Sequence, residues 1–194
     1  EWVVETGEVR DVAALTDWVA QILRFGGGRQ DAILLAETWR AVTAGDTERL
    51  SEVTELAAAL SPSKERAVET LSQGKAFALA AEASWPADGD ASPSGDLAYP
   101  VAVGIAAARH KIPLGPTLAA YLHAFVANLV SAGIRLVPLG QTDGQKAIAA
   151  LETVVASVTD EAMAAGLDDL GGCVLLADIA SMRHETQYTR LFRT

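Results

Sequence analysis

From Ile112 to Ile134 the chain carries no Asp, Glu, Lys or Arg, and a run of that length must either cross a bilayer or lie inside a packed core. Pro113 and Pro116 stand at its start, and His123, Asn128 and Ser131 follow. Roughly 19 residues remain after the second proline, near the short end of what spans hydrocarbon. The stretch therefore reads as a core helix opened by Pro116, with Leu118, Leu122, Phe125, Val126 and Leu129 facing inward; a membrane span is the alternative. A core helix apolar over most of its surface must be wrapped by amphipathic helices. The composition supplies them, since 50% of the 194 residues are hydrophobic but only 6% aromatic, and Ala, Leu and Glu favour helices over sheet. The expectation is an all-α fold, a single compact domain over residues 1–194 built from about seven or eight helices.

Local signals place the helices. Asp11 caps a helix over Val12 to Phe25, where Val12, Leu15, Trp18, Val19, Ile22 and Leu23 share a face, and Gly26, Gly27 and Gly28 end it. Gln30 to Ala44 follows, stopped by Gly45, then Thr47 to Leu60. Ser61 with Pro62 reads as a cap and first helical position for a helix running to about Ala83. Residues 86–100, rich in Gly, Pro, Ser and Asp, read as a mobile loop, with a hinge between two helical halves as the alternative. After a short helix over Val101 to Arg109 and the apolar helix, Thr142 and Gln145 stand at capping-box spacing for a helix ending near Gly166. Gly171 to Leu176 is a short apolar run suited to burial against the body or a partner, and Asp178 can cap a last helix through Ser181 and His184.

Fifteen Lys and Arg against 25 Asp and Glu give a formal charge of -10, and no basic run could follow a phosphate backbone, so nucleic acid is not an expected partner. One cysteine, Cys173, cannot form an intramolecular disulfide. With no signal peptide in view, a cytoplasmic location is expected.

A search for reactive groups that could converge finds no catalytic constellation. His110, His123 and His184 are far apart in sequence, without the i, i+4 pairing that puts two imidazoles on one helical face. His123 reads as a neutral core ring rather than a ligand, His110 as a helix-end cation, and Cys173 as a small buried side chain. Gly26 to Gly28 follow a helix and lack the Lys and Ser or Thr of a nucleotide loop. Asp168 and Asp169 read as a solvated turn or cap. The chain's end alternates charge with aromatic and aliphatic groups: Arg183, Glu185, Tyr188, Arg190, Leu191, Phe192 and Arg193. Guanidinium groups and aromatic rings dominate interface energetics, so residues 181–194 are either a partner-binding tail or a terminal element packed on its own domain.

Two blocks carry a resemblance. Tyr121, Leu122, His123, Ala124, Phe125, Ala127 and Asn128, continuing through Arg135 to Gln145, resemble the central signature of the UreF family of urease accessory proteins. Leu167 to Gly172 and Asp178 to Gln187, with Tyr188, Arg190, Leu191, Phe192 and Arg193, resemble its C-terminal signature; Glu1, Trp2, Val4, Glu5 and Gly7 are a thinner match. The resemblance implies a non-catalytic, dimer-forming all-α scaffold without cofactor. It would pair with UreD (UreH in some organisms), recruit the GTPase UreG and support GTP-dependent nickel insertion into apo-urease. The residues it puts at partner interfaces are Arg135, Gln141, Ser181, Met182, Arg183, His184, Glu185, Gln187, Tyr188, Arg190, Leu191, Phe192 and Arg193. Two alternatives stay open: a nickel-binding metallochaperone in its own right, using His184 or His123, and a GTPase-activating regulator of UreG that supplies Arg183, Arg190 or Arg193 in trans.

Overall fold

The computed structural model describes residues 1–86 and 95–187, and among them every regular element is helical. A single turn, α1 (Trp2–Glu5), precedes α2 (Val12–Phe25), α3 (Gly27–Ala44), α4 (Thr47–Ala59) and α5 (Lys64–Ser84). Then come α6 (Tyr99–Arg109), α7 (Leu114–Leu136), α8 (Gln141–Ala164), a 3-10 turn over Leu167–Asp169, and α9 (Leu175–His184). The all-α expectation holds.

α7 is long and apolar enough to cross a membrane. Its Leu118, Leu122, Val126 and Val130 are instead buried in a cluster with Leu15, Val19 and Leu23 of α2, Ile33 and Leu35 of α3, and Leu151 and Val158 of α8. A second cluster, centred on Val53 and Val101, joins α3, α4 and α6. α3 lies between the two, which is why Ala32 to Ala36 are buried one after another along it.

Several local expectations shift by a residue or more. The glycines do not form a stop: Gly26 alone turns the corner and α3 begins at Gly27, because Gly28 packs directly on the backbone of Leu23 and lets the two helices start in contact. The cap of α5 is Ser63 rather than Ser61, its hydroxyl accepting the Arg66 N–H at 3.2 Å, so Pro62 lies before the cap. α7 opens at Leu114, two residues ahead of Pro116, and α6 opens at Tyr99, two ahead of Val101. Thr142 and Gln145 form no capping box. The α7–α8 corner is so short that α8 starts at Gln141 behind Gly140, and Thr142 is already helical. Asp178 does not cap α9, which begins a turn earlier behind Val174. Of the proposed 86–100 loop, residues 87–94 lie outside those described, while Leu97 and Ala98 are buried against α6 and its neighbours.

Candidate functional site

The region that departs most from ordinary packing is α9 and the connector leading to it. No residue of α9 is buried. Leu175, Ile179 and Met182 recur at i, i+4 and i+7, the spacing of one helical stripe, and stand 67%, 36% and 50% exposed, with Leu176 beside them at 37%. An isolated helix of ten residues would not persist in water, so something else must hold it.

Polar contacts to the body do so. The Ser181 and Ser63 hydroxyls share a hydrogen bond of 2.6 Å, which ties α9 to the cap of α5. The Glu185 carboxylate accepts the Lys64 N–H at 3.1 Å, satisfying one of the free amides of α5's first turn where negative charge is favoured. The His184 ring lies between two carboxylates, Nδ1 2.6 Å from Glu65 and Nε2 3.4 Å from Glu1. Gln187 Nε2 donates to Glu5 of α1 at 2.8 Å. These four side chains point inward, which leaves Met182 and Arg183 to face solvent.

The connector is held from α3. Arg40 donates to the carbonyls of Ala165 at 2.7 Å and Met163 at 2.6 Å, Arg29 to that of Asp169 at 2.8 Å, and Gln30 to that of Gly172 at 3.1 Å. Buried Glu37 orients this grip, bonding Arg40 and, through two nitrogens, Arg49. Gly172 has φ +130, and a Cβ there would meet the Phe25 carbonyl oxygen at 2.6 Å, so only glycine passes over the end of α2. Phe25 itself is 52% exposed and adjoins Gly26, on which Val174 packs, so the apolar surface of α9 continues onto the end of α2.

Cys173 is exposed rather than buried. Its thiol donates to Asp178 at 3.2 Å, and that bond to a carboxylate raises its pKa, which keeps it a poor nucleophile. His123, expected in the core, is exposed on the outer face of α7, because the buried stripe runs through Leu118, Leu122 and Val126 and leaves position 123 outside. His110 caps the C-terminal end of α6, as expected. Asp168 and Asp169 form an exposed turn in which Asp169 accepts the Gly166 N–H. Among the described residues no three His, Cys, Asp or Glu side chains gather in a way that could hold a metal ion.

Residues 9–152 match the family model described as UreF. The chain belongs to the UreF family. Proteins named "Urease accessory protein UreF" align along its whole length, so the similarity extends through α9 as well. The one from Rhodopseudomonas palustris strain HaA2 is 54% identical over 100% of this chain and 84% of its own. The one from strain BisA53 is 52% identical, over 100% and 83%. A third, from Bradyrhizobium diazoefficiens, is 51% identical over 100% and 82%.

Of the residues that the UreF resemblance puts at interfaces, Arg135 is in the last turn of α7 and Gln141 begins α8; both are exposed and make no side-chain hydrogen bond or ion pair among the described residues. Ser181, His184, Glu185 and Gln187 come together, but on the body side of α9. Met182 and Arg183 are on its open side. Tyr188, Arg190, Leu191, Phe192 and Arg193 lie outside the described residues. Sequence reading missed the receiving side, Ser63, Lys64 and Glu65, and the grip of Arg29, Gln30 and Arg40. The one available signal was the placing of those last three in a helix otherwise rich in buried apolar positions.

Proposed function

We propose that this chain is a non-catalytic scaffold of urease maturation that uses α9 and the residues after it to dock UreD (UreH), and with UreD recruits the GTPase UreG for nickel insertion into apo-urease. The carrying observation is the helix whose apolar stripe, Leu175, Ile179 and Met182, faces away from the body although the chain has a core that could have taken it. An exposed apolar stripe rimmed by polar groups is characteristic of a surface covered in a complex. The full-length likeness to proteins named urease accessory protein supports the identity of the complex, and the open positions of Arg135, Gln141 and Arg183 suit further contacts in it. On the same reading residues 1–194 act as one domain, in the cytoplasm, as a homodimer.

Because Ser181, His184, Glu185 and Gln187 also hold α9 in place, removing residues 181–194 would confuse docking with folding. The cleaner test substitutes the open face. Leu175→Asp with Ile179→Asp is expected to leave circular dichroism unchanged and stability within about 0.5 kcal/mol, as for exposed positions generally. The same pair is expected to abolish co-purification with co-expressed UreD and, downstream, urease activation in a cell carrying the other accessory proteins. Full retention of UreD by the folded double variant would refute the assignment.

A further inference from the structure

α5 and α7 face one another across two adjoining hollows of about 330 Å³ and 420 Å³, the first walled on one side by the connector and by Ala177, Asp178 and Ser181 of α9, a size range typical of small-ligand sites. Both are lined by Asp31 on the α3 floor, Arg66 and Thr70 on α5, and Phe125 and Leu129 on α7. The Tyr121 hydroxyl, buried on α7, donates to Asp31 Oδ2 at 2.9 Å. Arg66 pairs with Glu69, which also accepts from Gln73 at 3.3 Å. No direct ion pair reaches Asp31 among the described residues; Arg66 acts on it only at longer range. The groups facing the hollows are thus two carboxylates, Asp31 and Glu69, against one guanidinium already engaged, with the neutral phenols of Tyr99 and Tyr121 beside them and Asp178 of α9 at the far end.

That balance selects among ligands. An anion approaching Arg66 would confront Glu69 and Asp31 together, whereas a cation would give the half-buried Asp31 carboxylate, bonded so far only by the Tyr121 hydroxyl, a counter-charge. Phe77, Tyr99 and Tyr121 form a run of aromatic contacts along the second hollow, with ring centroids 5.7 Å and 5.5 Å apart. They can take an apolar stem and, by their faces, part of a positive charge. We propose that this cavity is a binding site for an organic cation, an ammonium or guanidinium group on an apolar stem, with Asp31 as its counter-ion. The inner face of α9 forms one wall of the first hollow, but Asp31 and the aromatic run stand on α3, α5, α6 and α7, so the proposal does not depend on what covers the outer face of that helix. A free amine and a Lys or Arg side chain of a partner share the chemistry, and the experiment separates them.

The probes are 2-phenylethylamine, its neutral analogue 2-phenylethanol, and the capped peptide acetyl-Leu-Arg-Phe-amide, each titrated into the full chain by calorimetry at neutral pH. The amine is expected to bind at least about tenfold more tightly than the alcohol. Asp31→Asn, which keeps the size of the side chain and an oxygen for Tyr121, is expected to reduce the amine to the level of the alcohol. If the peptide binds and the free amine does not, the cation comes from a protein side chain; the reverse result assigns a free ligand. Equal binding of amine and alcohol, no change on Asp31→Asn, or no binding of any probe at millimolar concentration overturns the proposal. A second arm needs no substitution. Burial, only partly offset by Arg66 and the Tyr121 hydrogen bond, holds the Asp31 pKa above 3.8, and the amine stays charged throughout the acid range. Its affinity is therefore expected to fall as pH drops through the raised Asp31 pKa, with that of the alcohol unchanged; parallel pH profiles would count against the site.

Discussion

Gly74 offers the sharpest test of the packing that positions this molecule's surfaces. A Cβ added there would lie 1.9 Å from the Leu97 carbonyl oxygen and 2.9 Å from the carbonyl carbons of Leu97 and Ala98. The obstacle is backbone, so no side chain can swing aside, and bringing the closest pair to the 3.0 Å limit of real Cβ contacts requires α5 to withdraw from the start of α6 by about 1 Å. In an unobstructed helix Gly→Ala gains about 1 kcal/mol. Overpacking a dense interior costs about 1–3 kcal/mol or more, and a clash this short belongs at the upper end. Gly74→Ala is therefore expected to be net destabilising by about 1–2 kcal/mol, which for a chain of this size lowers Tm by roughly 2–8 °C. Gly115, in the first turn of α7 with nothing within 4 Å of its added Cβ, is the control, and Ala there should stabilise by up to about 1 kcal/mol. Urea and thermal unfolding followed by circular dichroism measure both. A Gly74→Ala protein as stable as the parent would refute the close approach of α5 to Leu97.

Ser63→Ala removes both the cap of α5 and the Ser181 bond, so it should cost about 1–2 kcal/mol and speed amide exchange across α9; Ser181→Ala, which spares the cap, should cost less while speeding the same amides. Glu37→Gln should cost about 1–2 kcal/mol in urea unfolding rather than the larger penalty of a fully buried pair, because Arg40 and Arg49 remain 34% and 35% exposed and keep water as a partner. For Asp31 the folded pKa lies above 3.8, so its contribution to stability is fully present below that value and is lost as pH rises through the folded pKa. Asp31→Asn should accordingly be more stable than the parent at neutral pH, with the difference vanishing below about pH 3.8; a less stable variant at neutral pH would mean that Arg66 compensates the burial completely.

The helices were legible where periodicity and a strong cap agreed. Asp11 with the stripe from Leu15 to Leu23 places α2, and Gly45 with φ +71 ends α3 where expected. The apolar run resolved as a core helix because α2, α3 and α8 all bring leucine and valine to it. Misplacements fell where two local signals compete, as with Ser61 and Ser63, or where the helix starts earlier behind an extended glycine, as at Thr142, which Gly140 pre-empts. His123 was misjudged because its neighbours in sequence are apolar, whereas burial follows every third or fourth residue and passes it by. For α9 the sequence showed residue types fit for an interface but not their sides. Ser181, His184, Glu185 and Gln187 look as adhesive as Met182 and Arg183, and only the position of α5's first turn, far away in sequence, separates the two sets.

The hydrogen bonds by which α3 grips the connector to α9 all end on carbonyl groups, which every amino acid possesses. Exposed side chains there, such as Met163 and Asp168, can therefore drift without loosening the attachment, while Leu167 and Leu170, which pack on the body, and the few positions on α3 that supply the donors cannot. A lineage could thus re-tailor the outward chemistry of its final helix to a changing associate and still deliver that helix to the same place.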